Sequence, residues 1–359
     1  TAVVLCCISA FTLRMASGPG MMKSQLIGML MGLVIIAVLS VLDYHFICQF
    51  SAVYYLFGLG LTAATHTPLG TAGSTDSVRW IQLGPVTFQP SELMKIGFFI
   101  TLSMHIELIG DRLTVFTHIL LLGLHAAIPI GLVVLSGDMG SALVFMLIFI
   151  VIAFCAGVQL RYFIIGGATV CAAAPAIWYF LFDSTQKERF LGLIYPNRYA
   201  DIMYQQEQGL KALRNGGLTG EGLFHGTLTQ QPNAIPEAEN DMIFTATGEE
   251  LGFVGCVLAL ALLLAISLRI ISVGRHSKFG ATSLMCYGTA AMIMSQVIIN
   301  VGMCLKVLPV IGITLPFFSA GGSSNLCIYI GIGLIMSIYR FDRERDVTNV
   351  RIHPIIRSM

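Results

Sequence analysis

Long apolar stretches alternate with short polar ones along almost the whole chain. Runs of the length that an α-helix needs to cross a bilayer, about 20 residues, occur at 1–16, 25–43, 44–65, 91–109, 114–135, 140–157, 162–182, 242–273, 281–305 and 323–340. We therefore predict ten transmembrane helices in an all-α polytopic membrane protein, with a single membrane domain over residues 1–359. The first run has no small-residue cleavage site after it, so we interpret it as a span and not as a signal peptide.

Composition excludes a water-soluble globular domain. The chain is 56% hydrophobic and 11% charged, whereas soluble domains carry about 25% charged residues. The formal net charge of +1 gives no sign of a nucleic-acid partner, and we expect none. The 9 cysteines form no C-x-x-C pair and avoid the polar segment 183–240. This distribution favours small apolar residues of membrane helices over a metal or disulfide site.

Lysines and arginines in the short connections predict the orientation of the spans. With the N-terminus inside, the predicted cytoplasmic connections contain Arg112, Arg161, Arg269, Arg275 and Lys278, and the predicted tail adds Arg340, Arg343, Arg345, Arg351 and Arg357. Arg14 and Lys23 fall on the other side, but the reverse orientation would place the whole basic set outside. We therefore predict cytoplasmic N- and C-termini, a cytoplasmic tail at 341–359, and two outer segments, 66–90 and a large loop at 183–241.

The large outer loop contains two local patterns. The stretch YQQEQGLKALRNGG places Leu210 and Leu213 at helical spacing before an Asn215-Gly216 stop, which predicts a short amphipathic helix. The stretch GGLTGEG resembles a phosphate-binding glycine loop only in composition, because it follows no predicted strand. We interpret it as a flexible turn.

Ionisable residues within or beside the spans are candidate functional groups, because charge at membrane depth is costly. The stretch RWIQLGPVTFQPSELMK contains Arg79, Glu92 and Lys95. Glu92 and Lys95 are three residues apart at the start of a helix, so a structural ion pair and a substrate contact are both open. Asp138 lies in a tight outer hairpin, SGDMGSA, where it either caps the next helix or contacts a substrate or ion.

Two further stretches bring charge near the outer membrane surface. NVGMCLKVLPVIGITLPFFSAGGSSN contains Lys306, two prolines and a Gly-Gly-Ser-Ser stretch, which is typical of broken backbone that either lines a cavity or is buried in protein. Lys306 pairs either with an acid or with an anionic group of a substrate. In ENDMIFTATGEELGFVG, Asp241 lies where the apolar run begins, and Glu249 and Glu250 lie about 12 Å deeper at 1.5 Å per residue. We interpret Glu249 and Glu250 as structural residues partnered by one of the outer cations, and Asp241 as a candidate general base.

Four stretches together resemble one family. RWIQLGPVTFQPSELMK, GDMGSAL, ENDMIFTATGEELGFVG and LPVIGITLPFFSAGGSS, in this order, are similar to the motifs of the SEDS proteins (shape, elongation, division and sporulation), the RodA/FtsW/SpoVE type. The resemblance covers nearly the whole chain. The chain differs from the usual family spelling at three places: Glu239-Asn240 stands for His-Thr, Ser136-Gly137 for Gln-Pro, and Ala320 for a tyrosine.

The resemblance implies a peptidoglycan glycosyltransferase that polymerises lipid II at the outer face of the bacterial cytoplasmic membrane. The essential aspartate of the family falls on Asp241, which makes Asp241 the expected catalytic residue and general base. The candidate substrate-binding residues are Arg79, Glu92, Lys95, Asp138 and Lys306. The expected partner is a class B penicillin-binding protein, a transpeptidase that crosslinks the strand.

The residue types agree with that chemistry. A sugar hydroxyl is a weak nucleophile at neutral pH, so a carboxylate within hydrogen-bond reach is the minimum requirement. The departing prenyl pyrophosphate needs positive charge, either from Arg and Lys or from a divalent cation such as Mg²⁺ or Mn²⁺. We expect no organic cofactor, and no residues stand out as metal ligands.

Other functions share some of these features. A flippase that moves lipid II across the membrane would also have many spans and charges at membrane depth, but its usual inverted repeat and continuous polar route are not visible here. A non-catalytic scaffold for a penicillin-binding protein would have no need of Asp241. A different lipid-linked sugar transferase, such as an O-antigen ligase, fits the spelling of the motifs less well.

Overall fold

The protein is described by a computed structural model over residues 19–71, 78–83, 86–231, 233–277 and 280–356. The α-helices within these ranges are α1 (Pro19–Val41), α2 (Tyr44–Gln49), α3 (Ser51–Ala64), α4 (Pro90–Ile109), α5 (Phe116–Leu135), α6 (Met139–Cys155), α7 (Leu160–Phe180), α8 (Ser184–Ile194), α9 (Ala200–Gly216), α10 (Ile243–His276), α11 (Gly280–Cys304) and α12 (Gly322–Ile356). A 3-10 turn, Gly110–Thr114, joins α4 to α5.

Apolar helices lie at nine of the ten predicted spans. Six are long and apolar enough to cross a membrane: α4 with its 3-10 turn, α5, α7, α10, α11 and the part of α12 up to Asp342. Shorter apolar helices cover Gln25–Val41, Ser51–Ala64 and Met139–Cys155. The remaining predicted span, 1–16, lies outside the described residues. The chain is therefore a multi-pass membrane protein, whereas the count of ten spans, their orientation and the cytoplasmic termini stay predictions.

The α11 helix lies at the centre of the bundle. It packs against α10, α6 and α4, and most of its side chains are buried. The α12 helix packs along α1, and α3 packs along α4. Phenylalanines such as Phe98, Phe145 and Phe317 fill the interior. In contrast, none of the residues of α7 is buried by the described chain, so its apolar surface is available to lipid.

A small antiparallel sheet departs from the all-α prediction. Its strands are β1 (Gly70–Thr71), β2 (Trp80–Leu83) and β3 (Val86–Phe88), which pair in the order β1-β2-β3. The segments Ile-Gln-Leu and Val-Thr-Phe alternate in polarity at the period of a strand, and they are too short for a membrane helix. The sheet holds Arg79 directly before β2 and leads through Gln89 into α4.

The large loop at 183–241 is folded over much of its length. The α8 helix begins with a capping box, in which Gln186 N donates to the Asp183 carboxylate at 2.7 Å and Asp183 N donates back to the Gln186 side chain at 3.4 Å. The α9 helix includes the predicted amphipathic helix and begins earlier, at Ala200. Because α9 packs on α10, this part of the loop lies against the bundle.

The α10 helix is interrupted at Gly252, whose φ of 68° and ψ of −168° are not helical. Glycine is essentially the only residue that adopts this conformation. The interruption separates a short, fully buried segment at 243–250 from the long apolar part of the helix. A Cβ at Gly252 would clash with the nitrogen of Gly220. The GGLTGEG stretch forms a turn, as predicted, and this turn is packed against the interruption.

Glu249 is a structural residue, as predicted, but its partners are not cations; the structural role of Glu250 stays a prediction. The Glu249 carboxylate accepts hydrogen bonds from Asn215 Nδ2 at 3.1 Å and from Thr229 N at 2.8 Å. Leu228 N and Thr229 Oγ1 donate to the same carboxylate at 3.0 and 2.6 Å. Neutral donors from a folded loop thus satisfy a buried carboxylate. The expected pairing with Arg79, Lys95 or Lys306 is therefore corrected.

Candidate active site

A cavity of about 1200 Å³ opens among the sheet, the loop helices, α1, the starts of α4, α6 and α12, and the second half of α11. Residues from all four motif stretches line it, including Arg79, Glu92 and Asp241. The segments 310–314 and 320–325, which lie between α11 and α12 and at the start of α12, form another part of the wall. Of the two settings expected for this broken backbone, a cavity wall and burial in protein, the structure places these segments on a cavity wall.

Asp241 lies in the turn just before α10, on the wall of the cavity. Asn300 Nδ2, from α11, donates to the backbone carbonyl of Asp241 at 2.8 Å. Ser319 Oγ donates to the carbonyl of the preceding residue, Asn240, at 2.7 Å. These bonds fix the backbone, while no described residue donates a hydrogen bond to the Asp241 carboxylate. The carboxylate is therefore available to a molecule in the cavity.

The surroundings of Asp241 change its acidity. Burial among protein atoms is the largest influence and raises the pKa of Asp241 from 3.8 to about 6. The positive charges of Arg79 and Arg189 act in the opposite direction and lower the pKa. The negative charges of Glu237 and Asp138 raise it further. The resulting carboxylate is a stronger base than an ordinary aspartate and is still ionised at neutral pH.

Asp138 holds Arg79 and the start of α6. The Asp138 Oδ1 atom lies 3.5 Å from Arg79 Nη1 and accepts from Ser141 N at 3.0 Å, so the predicted helix cap is confirmed. Gln89 Nε2 donates to the other carboxylate oxygen at 2.7 Å. Asp138 is only 2% exposed. Its geometry supports a role in positioning Arg79, and the predicted contact with a substrate stays a prediction.

Glu92 and Lys95 form an ion pair in the first turns of α4, with Lys95 Nζ and Glu92 Oε1 2.7 Å apart. Lys95 is completely buried and is not part of the cavity wall, whereas Glu92 lines the cavity. The structural pairing that the spacing left open is therefore present. Lys95 compensates the charge of Glu92 from behind the wall, and a contact between Glu92 and substrate stays a prediction.

Lys306 does not line the cavity. It follows α11 with a φ of 60°, in the left-handed region, and its ammonium pairs with Glu207 of α9. Next to this pair, Gln206 Nε2 donates to the carbonyl of Met303 at 2.8 Å. Lys306 thus anchors α9 to the end of α11. Of the two alternatives left open by the sequence, the structure supports pairing with an acid, and the geometry gives no support to a role in substrate binding.

The α8 helix brings polar side chains to the cavity that the sequence analysis did not identify. Asp183, Gln186 and Arg189 all line the wall. Gln186 Nε2 donates to the carbonyl of Gly137 at 3.1 Å, and Arg189 Nη1 donates to the carbonyl of Val310 at 3.3 Å. The Asp-x-x-Gln spacing of a capping box could have predicted this helix. The three-residue spacing of Gln186 and Arg189 then places both on one face.

The wall combines the Asp241 carboxylate with two arginines, Arg79 and Arg189, which come from different elements. Such a site can accept a proton and can stabilise an anionic leaving group. Within the described ranges, no group of three or more His, Cys, Asp or Glu residues is placed to hold a metal ion. The predicted divalent cation therefore gains no protein ligand set from these residues, and it stays a prediction.

Sequence comparisons agree with the motif resemblance. The FTSW_RODA_SPOVE family model, described as "Cell cycle protein", matches residues 2–344. The chain is 32% identical over 339 residues to "Peptidoglycan glycosyltransferase MrdB" of Escherichia coli (strain K12), with 92% of this chain and 89% of that protein covered. It is 30% identical over 325 residues to "Probable peptidoglycan glycosyltransferase FtsW" of Geobacter sp. (strain M18), with 88% and 86% covered.

Solved structures share the fold. A chain described under "Structural coordination of polymerization and crosslinking by a peptidoglycan synthase complex" matches with a TM-score of 0.81 at 27% identity, over 95% of this chain and 96% of that one. The rod shape determining protein RodA of Thermus thermophilus matches with a TM-score of 0.70 at 24% identity, over 95% of both chains. The family model covers nearly the whole chain, and both relatives are at least 30% identical over most of their length. The chain therefore belongs to the FtsW/RodA/SpoVE family of cell cycle proteins.

Proposed function

We propose that this protein is a peptidoglycan glycosyltransferase that polymerises lipid II into glycan strands at the outer face of the bacterial cytoplasmic membrane. Family membership supports the reaction class, as do the names of the relatives MrdB and FtsW. The observation that carries the proposal is the carboxylate of Asp241. It lines a large cavity without a hydrogen bond from the described residues, within the electrostatic influence of Arg79 and Arg189.

Asp241 acts as the general base of the transfer. The 4-hydroxyl oxygen of an incoming lipid II sugar attacks the anomeric carbon of the sugar that links the growing strand to prenyl pyrophosphate. Asp241 accepts the hydroxyl proton as the new oxygen–carbon bond forms. The bond between the anomeric carbon and the pyrophosphate breaks, and the pyrophosphate leaves with the electron pair. Arg79 and Arg189 offset the negative charge of this leaving group, and a divalent cation would add to their effect.

The partner in this proposal is a class B penicillin-binding protein, which crosslinks the strands. The likeness to a chain described in a structure of a peptidoglycan synthase complex, in which polymerization and crosslinking are coordinated, supports this choice. The bundle of apolar helices supports a location in the membrane, and the bacterial sources of the relatives support the cytoplasmic membrane.

Reconstituted polymerisation tests the function directly. The purified protein, alone and with its cognate penicillin-binding protein, is incubated with lipid II while a β-lactam blocks the transpeptidase. We expect glycan strands on a gel. If no strands form with the partner present but lipid II crosses the bilayer of vesicles that contain the protein, the flippase function replaces this proposal. If neither activity occurs, the function as a non-catalytic scaffold replaces this proposal.

A further inference from the structure

One buried amide on the cavity wall takes no part in the proposed transfer. Gln296 lies on α11, lines the cavity and is only 1% exposed. Its Oε1 atom is buried and has no hydrogen-bond partner among the described residues. A buried acceptor without a partner is unfavourable, and native proteins contain few of them. A molecule that enters the cavity could supply the missing partner.

The other amide side chains on the wall are used within the protein. Within the described part of the chain, each of them donates to a carbonyl or carboxylate oxygen; they are Gln25, Gln89, Gln186, Gln205, Asn240 and Asn325. These amides hold the wall together. No hydrogen bond joins the Gln296 amide to any described residue, which distinguishes Gln296 from the structural amides around it.

Gln296 lies deeper in the bundle than Asp241. Asn300, one helical turn further along the same face of α11, donates to the carbonyls of Asp241 and Ile313 at 2.8 and 2.7 Å. Gln296 is four residues nearer the start of α11 than Asn300, which places it about 6 Å away along the helix axis at 1.5 Å per residue. Because Asp241 and Gln296 line the same cavity, a sugar substrate that reacts at Asp241 can also present a substituent to the Gln296 amide.

We propose that Gln296 binds an acetamido group on a hexosamine sugar of the substrate. An acetamido group carries one N–H donor and one C=O acceptor, so it can exchange two hydrogen bonds with a side-chain amide. A sugar with a free amine has lost that acceptor. This inference rests on the proposed function and adds to it a reason for selecting N-acetylated sugars.

Three substrates test the contact: lipid II and two analogues with an unchanged peptide. One analogue has a free amine in place of the acetamido group on the pyrophosphate-linked sugar, and the other has it on the outer sugar. We expect the wild-type protein to use one analogue with a kcat/KM at least roughly 100-fold below that for lipid II. Methionine in Gln296→Met has a similar side-chain length but no amide donor or acceptor. For this variant, the kcat/KM values for lipid II and for that analogue should agree to within about threefold. The affected analogue identifies the sugar.

Gln206→Met is the matched control. Gln206 is equally buried, but its Nε2 atom donates to the carbonyls of Met303 and Leu308 at 2.8 Å each, and it does not line the cavity. This variant should lower thermal stability and keep the wild-type preference. Gln296→Leu replaces Gln296→Met as the test variant if the latter does not fold.

Three results would overturn the inference. The wild-type protein could use all three substrates equally well, or the Gln296 variants could keep the wild-type preference. An equal loss by the Gln296 variants on all three substrates would assign the amide to another group, such as the peptide. In each case strand formation by the wild-type protein leaves the proposed function intact, whereas failure of the wild-type protein to polymerise any substrate contradicts the proposed function itself.

Discussion

At Asp241, a fixed backbone is combined with an uncommitted carboxylate. The helix that follows is capped by the backbone of Met242 without a side-chain bond, so Asp241 is not required as a cap for α10. Burial raises the pKa of Asp241 to about 6. A general base is most effective when its pKa lies near the working pH, so this shift favours catalysis near neutral pH. A carboxylate without a structural bond and a raised pKa are both expected of a catalytic group, and neither is needed for folding.

Asp241→Asn should therefore remove activity and leave the fold intact. Asparagine has the same shape but cannot accept the proton, and loss of a general base typically costs about 10²–10⁴-fold in rate. Asp201→Asn, at an exposed position in the first turn of α9, is the control and should retain wild-type activity. The measurement is strand formation from lipid II by both variants at equal amounts of folded protein. Near-normal polymerisation by Asp241→Asn would exclude the base role.

The pH dependence of the rate follows from the same carboxylate. The base acts in its ionised form, so kcat/KM should rise with pH and level off above the pKa of about 6. An initial-rate profile from about pH 5 to about pH 8 measures the midpoint. A rate that does not change with pH over this range would place the pKa well below 6, and it would show that the cavity does not desolvate the group.

The raised pKa also predicts a change in stability. Folding favours the protonated form of Asp241, so its contribution to stability is present below pH 3.8 and is lost as the pH rises through about 6. Asparagine is neutral at every pH. At neutral pH we therefore expect the Asp241→Asn protein to unfold at the same temperature as the wild type or at a higher one. A lower unfolding temperature would mean that the carboxylate makes a stabilising contact.

Within α4, Glu92 and Lys95 form one buried unit. Removing one partner leaves an uncompensated buried charge, which costs about 3–5 kcal/mol. We expect Glu92→Gln and Lys95→Met each to lower the unfolding temperature in detergent, and the double variant to be more stable than the sum of the single effects predicts. Additive effects would contradict the pair. A folded double variant that makes no strands would indicate that Glu92 also contacts the substrate.

The interruption of α10 depends on one glycine. Gly252→Ala forces a side chain into a conformation that is essentially specific to glycine, at about 1–3 kcal/mol, and the added Cβ meets Gly220. Gly60→Ala in α3 is the control, since a Cβ there meets nothing within 4 Å and alanine is the better helix former. Thermal unfolding should show a loss only for Gly252→Ala. Equal unfolding temperatures for the two variants would show that the interruption is not constrained.

On the scale of the whole molecule, the sequence predicted the parts whose physical requirements are local. A bilayer requires long apolar runs, so the spans could be recognised without tertiary information. Charges are rare at membrane depth, so Arg79, Glu92 and Asp241 stood out, and the structure brings all three to one cavity. Arg189 lies in a polar loop, where charged residues are common. Its role could therefore not be recognised from the sequence.

Partners that are distant in the chain could not be predicted. Lys306 was considered for substrate binding because its acid, Glu207, comes from a helix 99 residues earlier. The donors to Glu249 come from the predicted helix at Asn215 and from a turn at Thr229, and the sequence alone did not show that either lies against α10. Gln296 carries no charge, so only the absence of a partner in the folded protein distinguishes it from other buried amides.

Long-range positioning can be tested at Asn300. Its side chain joins α11 to the turn that contains Asp241 and to the segment that contains Ile313, through bonds of 2.8 and 2.7 Å. Loss of these bonds in Asn300→Ala frees the turn, and a displacement of about 1 Å can cost about 10²-fold in rate. Because Asn300 itself is not part of the cavity wall, we expect kcat to fall while KM changes little.

Asn215→Ala provides the comparison, since it removes an amide contact of the same kind, to Glu249, outside the cavity. Both variants lose hydrogen bonds, so unfolding temperature alone does not separate them. If Asn300 only stabilised the fold, the folded fraction of either variant would polymerise lipid II at the wild-type kcat. A fall in kcat per folded molecule that occurs only in Asn300→Ala would instead show that Asn300 positions the base. The bonds from α11 to the turn at Asp241 and to the segment at Ile313 would then hold Asp241 in place.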